Sequence, residues 1–288
     1  MLPRKTKFKI LAGAVILTPI ALALWAFQIE PGLLITRHTR LELPGWRTAL
    51  RVAVISDLHI GSPHVGLDQL KRIVERTNAE KPQLVVLLGD FVIGGPGHRP
   101  GVPGGTFVEP EAIANGLKDL RAPLGVFAVL GNHDWWYDGD RVHRALSEAG
   151  IRVLQNQAER IENGGGAFWL GGIGDMWTGH ADVEGTLAQT AGDEPVLLIT
   201  HNPDVFPMVP PRVSLTIAAH THGGQVSPPI IGPVVTTSRL GYVRGLYGDQ
   251  GHQLFVTTGI GTSIMAVRFG VPPEIVILTL QPQARETR

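Results

Sequence analysis

The chain has 288 residues with 25 basic and 25 acidic side chains, so its formal net charge is zero, and it contains no cysteine. Disulfides, thiolate metal ligands and cysteine nucleophiles are therefore excluded, and any bound metal must use His, Asp, Glu or Asn. Four of the basic residues precede position 10. The remaining chain is mildly acidic, which argues against broad nucleic-acid binding.

The N-terminal region predicts a membrane anchor. Residues 10–27, ILAGAVILTPIALALWAF, carry no charge over 18 positions, which is the length of a membrane span. A basic flank at 1–9 precedes them, so the positive-inside rule places the N-terminus in the cytoplasm and the rest of a single-pass protein outside the cytoplasmic membrane. A cleaved signal peptide is the alternative, because the sequence ALA at 21–23 resembles a cleavage site.

Beyond a predicted linker at 28–50, strand and helix patterns alternate through a domain at 51–281, with a tail at 282–288. Strands at 51–56, 82–90 and 124–134, with helices at 67–80 and 109–120 between them, predict a βαβαβ start and a parallel sheet. The later elements are a helix at 139–149, short strands within 151–175, a helix near 182–190, strands within 194–204 and 213–225, a long loop at 227–250, and strands at 252–259 and 273–280.

Five of the predicted strands end in polar residues that can bind metals or transfer protons. They are Asp57 and His59; Asp90; Asn132, His133 and Asp134; His201; and His220 and His222. A single histidine after an apolar run is usually structural, but the carboxyl ends of successive parallel strands converge on one crevice. In Asp57-Leu58-His59 and in His220-Thr221-His222, alternate residues point the same way if the backbone stays extended.

These two pairs, together with Asp90, Asn132 and His201, give seven oxygen or nitrogen ligands. Seven ligands are too many for one tetrahedral site and suit two divalent ions. A carboxylate shared between the ions would hold them about 3.5–4 Å apart, a separation that suits displacement at phosphorus by a bridging hydroxide. Because no thiolate is present, the ligands fit Mn, Fe or Zn, and the sequence does not choose among them.

These motifs, D-x-H, G-D, G-N-H-D, H and H-x-H, resemble those of the calcineurin-like metallophosphoesterase superfamily from about Arg51 to Leu280. The sequence HTHGGQ and the N-terminal apolar run resemble the bacterial membrane-associated phosphodiesterase branch. The resemblance implies a four-layer α/β/β/α sandwich. The family usually has glycine where this chain has Ala219; a positive φ there would strain alanine, but we expect the change to be harmless because alanine is small.

The resemblance also implies the roles of individual residues. One ion would be held by Asp57, His59, Asp90 and His222, and the second by Asp90, Asn132, His201 and His220. His133 would be the unliganded general acid or hydrogen-bond donor, and Asp134 would orient its ring.

Further residues are candidates for binding substrate. Asn132, Arg239, Tyr242 and Arg244 could contact a phosphate or leaving group, and Trp135, Trp136 and Tyr137 could either line a groove or pack beneath the next helix.

The predicted activity is hydrolysis of a phosphodiester or pyrophosphate, on an envelope or lipid-linked substrate. The resemblance leaves an enzyme of the UDP-2,3-diacylglucosamine pyrophosphatase type as an alternative. A non-catalytic, metal-stabilised binding domain is another. A nuclease is less favoured because the body of the chain is acidic.

Overall fold

The computed structural model describes residues 17–94, 101–249 and 251–283, together with the single positions 6 and 15. Residues 17–24 are helical and lead into a π-helical turn at Trp25–Ile29 and a 3₁₀ turn at Glu30–Gly32. Within the described residues, no helix has both the length and the apolar composition needed to cross a bilayer. Six of the 18 positions of the predicted anchor at 10–27, most of the basic flank and the end of the tail lie outside the described residues.

Six strands form the first sheet, in the order β1-β12-β2-β3-β4-β5. Their bounds are β1 Ile35–Leu43, β2 Leu50–Ile55, β3 Leu84–Leu87, β4 Val126–Ala128, β5 Arg152–Val153 and β12 Glu274–Pro282. The helices that connect β2 to β5 are α1 Leu67–Ala79, α2 Pro110–Leu117 and α3 Asn132–Glu148. Every strand pair is parallel except β12 with β2, so the predicted βαβαβ start is confirmed.

The second sheet has the order β10-β11-β9-β8-β7-β6. Its strands are β6 Gln157–Glu162, β7 Ala167–Ile173, β8 Val196–Thr200, β9 Val213–Ala218, β10 Gly245–Asp249 and β11 His252–Val256. The inner strands are parallel, and β6 and β10 pair antiparallel at the two edges. The short helix α4 Val183–Leu187 and a 3₁₀ segment at Pro203–Met208 follow strands of this sheet.

Three apolar clusters separate four layers. Alternate residues of a strand point to opposite faces, so in β2 Ile55 packs toward the helices whereas Val52 packs toward the second sheet. In β8, Leu197 packs between the sheets and Leu198 packs on the outer side, where α4 and the 3₁₀ segment lie. The predicted α/β/β/α sandwich therefore describes the domain, with both sheets buried on both faces.

Two predicted connections contain strands. The segment at 28–50, predicted as a linker, holds β1, which pairs with β12 over nine residues. Its sequence ITRHTRLEL is rich in charged residues and half exposed, so it lacks the apolar run by which buried strands are recognised. The loop predicted at 227–250 ends in β10, an edge strand.

We predict that Leu278→Ala lowers the free energy of unfolding by about 2–5 kcal/mol. Leu278 is fully buried between the two sheets, so its removal leaves a cavity that neither sheet can fill. Chemical denaturation of the full chain measures the change, with Leu246→Ala as the control. Leu246 is 50% exposed, and its loss should change stability by no more than about 0.5 kcal/mol; equal effects would contradict the sandwich packing.

Candidate metal centre

The carboxyl ends of β2, β3, β8 and β9 and the start of α3 bring the predicted ligands together. Two groups of His and Asp side chains have possible ligand atoms within 4.8 Å of one another. One group is Asp57, His59, Asp90 and His222, and the other is Asp90, His201 and His220. All of these side chains are buried, and Asp90 belongs to both groups.

The contacts within each group are short. In the first group His59 Nε2 lies 3.2 Å from His222 Nε2 and 3.5 Å from Asp90 Oδ2, and His222 Nε2 lies 3.4 Å from Asp57 Oδ1. The side chains therefore surround a single point. Because like ring nitrogens approach one another here, the geometry suits a shared cation better than mutual hydrogen bonding.

The second group is arranged around His201. Its Nε2 lies 3.3 Å from Asp90 Oδ2, 3.0 Å from His220 Nδ1 and 3.2 Å from Asn132 Oδ1. The Nδ1 atom of His201 contacts the carbonyl of Leu88 at 2.7 Å, which fixes the ring and directs Nε2 into the site. Asn132 thus joins the second group, as the resemblance implies.

The backbone at the ligands is left-handed. Asp57, His59, Asp90, His220 and His222 have φ between 41° and 70°, a region that non-glycine residues seldom occupy. The condition of an extended backbone at Asp57-Leu58-His59 and His220-Thr221-His222 is therefore not met, because the chain turns at each of these ligands. Ala219 is fully buried and is not among the residues with positive φ, so alanine fits there without strain.

Two glycines make room for the ligand carboxylates. A Cβ atom on Gly131 would lie 2.2 Å from Asp90 Oδ1, and one on Gly259 would lie 2.6 Å from Asp57 Oδ2. Gly259 also has a φ of +64°. Any other residue at either position would displace the carboxylate that the site needs.

Burial keeps three of the histidines neutral. It lowers the pKa of His59 and of His222 to about 3, and it lowers the pKa of His220 well below its usual value. Neutral imidazole is the form that binds metals. For His201, burial acts in the same direction, but the charge and hydrogen bond of Asp90 outweigh it and raise the pKa to about 10.

Several buried polar atoms of the site have no hydrogen-bond partner. They are both carboxylate oxygens of Asp57, Nε2 of His220 and Nδ1 of His222. A buried carboxylate without a partner is costly unless a cation neutralises it. The donors, all oxygen and imidazole nitrogen, are those that suit divalent metals, so the residues present fit a metal site.

The family comparison agrees with this geometry. The model of the calcineurin-like phosphoesterase family matches residues 50–224. The chain belongs to this family. Its members use divalent metals, and the chain is a metallophosphoesterase that hydrolyses phosphoesters.

Individual relatives extend the likeness over most of the chain. The chain is 30% identical over 264 residues to the uncharacterized metallophosphoesterase YkuE of Bacillus subtilis, covering 89% of both chains. It is 29% identical to the phosphodiesterase YaeI of Escherichia coli, covering 87% of this chain and 90% of YaeI. A zebrafish (Danio rerio) protein named "Transmembrane protein with metallophosphoesterase domain" is 28% identical, with 83% of this chain and 55% of that protein covered.

His133 and Asp134 of the metallophosphoesterase lie in the first turn of α3, which begins seven residues before the predicted helix. The ring of His133 faces the metal centre, 4.7 Å from the ring of His59 between centroids, and its backbone N–H donates to Asp90 Oδ1 at 2.9 Å. It remains half-buried beside the ligands, where a proton donor or acceptor can reach a bound phosphoryl group.

Asp134 does not orient the ring of His133, so that prediction is wrong. Its carboxylate is fully buried and accepts hydrogen bonds from the backbone N–H groups of Asp90, Phe91, Val92 and Gly131 at 2.8–3.3 Å. Burial, with the charge of Asp90 nearby, raises the pKa of Asp134 to about 7, and the N–H donors oppose that rise. Asp134 is thus a positioning residue for the turn that carries Asp90.

A cavity of about 470 Å³ opens above the ligands. Trp136 and Trp177 line it, and the rings of Trp177 and His220 meet in a T-shaped contact with centroids 4.2 Å apart. Trp135 stacks on His180, and Tyr137 packs against Phe107. Of the three aromatic residues after the ligand turn, Trp136 lines the groove and the other two pack against the protein.

Sequence reasoning missed Trp177 and the buried Asp175, which follow β7. The pattern of an apolar strand ending in Gly-Asp was present there too, at the sixth strand end of the same edge. The aromatic side chain two residues later carries no motif, because its role comes only from contact with His220, 43 residues further on.

Arg239, Tyr242 and Arg244 were predicted to contact substrate, but they do not line the cavity. The ring of Tyr242 packs against Phe206 and Tyr247. Arg244 donates to the carbonyl of Gly270, and the backbone N–H of Arg239 donates to Asp204. Contact of these three residues with substrate stays a prediction, whereas Asn132 does line the cavity.

We predict that Asp134→Asn destabilises the metal-free chain by about 2–3 kcal/mol, because the amide nitrogen would face backbone N–H donors that then lack an acceptor. The same variant should bind metal more weakly, since the turn carrying Asp90 loses its support. Chemical denaturation and metal titration measure the two effects.

The control for this prediction is Asp138→Asn on the same helix. Asp138 is exposed and accepts a hydrogen bond from the backbone N–H of Arg141, a role that asparagine fills equally well. Wild-type stability in Asp134→Asn would show that its carboxylate does not hold the turn.

Proposed function

We propose that the chain is a two-metal phosphodiesterase that acts on an envelope or lipid-linked phosphodiester. The observation that carries the proposal is the sharing of Asp90 by two ligand groups, with the unliganded His133 beside them. Bound divalent ions supply charge that neutralises phosphoryl oxygens and acidifies water.

The chain's own residues would hold the ions and donate the proton. One ion would be held by Asp57, His59 and His222, and the second ion by Asn132, His201 and His220. Asp90 would bind both ions. His133 would donate a proton, or a hydrogen bond, to the leaving oxygen as its charge develops. Trp136 and Trp177 line the cavity in which the substrate would bind.

The lining of the cavity favours a diester over a monoester. Among the described residues that line it there is no Lys or Arg, the side chains that would pair with the second negative charge of a monoester. A diester carries one charge and presents two carbon groups, for which a largely apolar wall is suited. The relative YaeI is itself named a phosphodiesterase.

We predict that His133→Gln retains metal but lowers kcat on bis(p-nitrophenyl) phosphate by about 100-fold or more. The full chain is stripped of metal and refilled with Mn, Fe or Zn, and metal content and hydrolysis are measured together. Asp90→Asn should lose both metal and turnover, because it removes the shared ligand.

The matched control is His143→Gln, the same substitution on the same helix but outside the cavity. It should hydrolyse the substrate within about twofold of the wild type. An unaltered rate in His133→Gln would refute the proton-donor role. A wild-type chain that binds two ions and turns over no diester would favour the metal-stabilised binding domain.

The location that we propose is the outer face of the bacterial cytoplasmic membrane, with residues 10–27 as the anchor. The helical residues that are described there expose apolar side chains, including Leu17, Ile20 and Leu24, each about half exposed or more. An exposed apolar helix of this kind needs a nonpolar surrounding. The basic flank at 1–9 favours the cytoplasmic side for the N-terminus.

We expect a reporter that is active only outside the cytoplasm to be active when fused after Arg288. The same reporter fused after Lys9, before the apolar run, should be silent. A silent fusion at Arg288 with normal protein levels would reverse the proposed orientation.

A further inference from the structure

A second concave surface of about 290 Å³ lies beside the metal cavity. We call it the apolar groove. One wall is formed by Val226, Val234 and Val235, and the other by Ile264, Met265 and Val267. Four residues line both the groove and the metal cavity, so the two spaces are adjacent; the four residues are His222, Thr237, Ser263 and Ile264.

The protein's own hydrogen bonds hold the groove open. Gln225 joins its walls: the side-chain Oε1 accepts from Ser263 N at 2.7 Å, and Nε2 donates to the carbonyl of Met265 at 3.3 Å. On the valine wall, Val234 N donates to the carbonyl of Val226 at 2.9 Å. The groove is therefore formed without a ligand, as small-molecule sites usually are.

The walls of the groove expose aliphatic side chains to an unusual degree. Val235 is 70% exposed, Ile264 is 77% exposed and Met265 is 49% exposed. No Asp, Glu, Lys or Arg is among the described residues that line it. Contiguous apolar surface of this kind marks a binding site rather than ordinary surface.

The backbone at Ile264 supports the same conclusion. Ile264 has a φ of +65°, and a β-branched residue in this region is a conformational outlier of the kind found at ligand-binding sites. That conformation presents the side chain at the boundary between groove and metal cavity instead of turning it into the core.

We propose that the apolar groove binds the hydrocarbon chain of a phosphodiester whose phosphate lies at the metal ligands. The inference rests on the proposed function and specifies its substrate as an amphiphile. Because the groove is adjacent to the metal cavity and shares four lining residues with it, it favours a hydrocarbon chain attached to the reacting phosphate over a flat bilayer surface or a second copy of the protein. The exposed aliphatic side chains of Val235, Ile264 and Met265 suit a hydrocarbon chain better than a sugar or a nucleotide base.

The test is a series of p-nitrophenyl alkyl phosphates with ethyl, hexyl and decyl chains. The metal-loaded full chain is kept in solution by an amphipathic polymer, and each substrate is used below its micelle concentration. We expect kcat/KM to rise by up to about fourfold for each methylene that enters the groove, so that decyl exceeds ethyl by about 100-fold or more.

The variant Val235→Ser/Met265→Gln should reduce the decyl-to-ethyl ratio at least tenfold, because it replaces aliphatic side chains from both walls. The matched control, Leu246→Ser, changes an equally exposed leucine on β10 and should keep the wild-type ratio. Calorimetric titration of the metal-free chain with ethyl and decyl methylphosphonate measures the same preference without turnover.

The outcomes separate this inference from the proposed function. Turnover of every chain length with equal kcat/KM would overturn the groove assignment and leave the phosphodiesterase intact. A decyl preference that survives in the groove variant would mean that the alkyl chain of the substrate binds outside the groove. That result would also overturn the assignment. If the groove variant lost only its co-sedimentation with phosphatidylcholine vesicles, the surface would bind a bilayer instead. Absence of turnover on all substrates would refute the proposed function itself.

Discussion

The buried carboxylate of Asp90 is the feature on which the rest of the site depends, because both ligand groups share it. The residues around Asp90 hold its carboxylate in a buried position, away from solvent. Gly131 leaves the space for Oδ1, His133 N donates to the same oxygen, and Asp134 holds the Asp90 backbone. Burial acts to raise the pKa of Asp90, but His201 and His133 outweigh it and keep the pKa well below its usual value. The negative charge therefore persists at neutral pH and demands a cation.

The left-handed turns explain why the ligands converge although their strands run side by side. An extended backbone would continue along the strand direction, past the edge of the sheet. A positive φ turns the backbone at the ligand and directs its side chain into the crevice. Such a conformation costs about 1–3 kcal/mol at each residue. The neighbouring backbone offsets part of that cost, because Asp57 N donates to the carbonyl of Gly89 and His59 N donates to that of Asp90. The site is thus stable only as part of the assembled sheets.

Much of this arrangement was predictable from local patterns. Apolar runs ending in Asp, His or Asn identified the ligand strands, and the helix predicted at 67–80 is observed at Leu67–Ala79. The sequence predictions that the structure corrects have a common cause. The carboxylate of Asp134 binds backbone that lies more than 40 residues earlier in the chain, and β1 is held by a strand near the other end. Hydrophobic periodicity does not reveal contacts between residues so far apart in the sequence. The roles that depend on such contacts can therefore be seen only in the folded structure.

Long-range hydrogen bonds also join the segment before β1 to the folded domain. Arg268 is fully buried, and its guanidinium donates to the carbonyl of Gly261, whose own N–H donates to the carbonyl of Asp57. The backbone N–H of Arg268 donates to the carbonyl of Ala26, and Glu30 accepts from the N–H of the nearby Val271. Residues around 25–32 therefore support a loop that contacts a metal ligand. A chain that began at residue 28 would lose the Ala26 acceptor, so the segment around residues 25–32 is part of the folded catalytic domain.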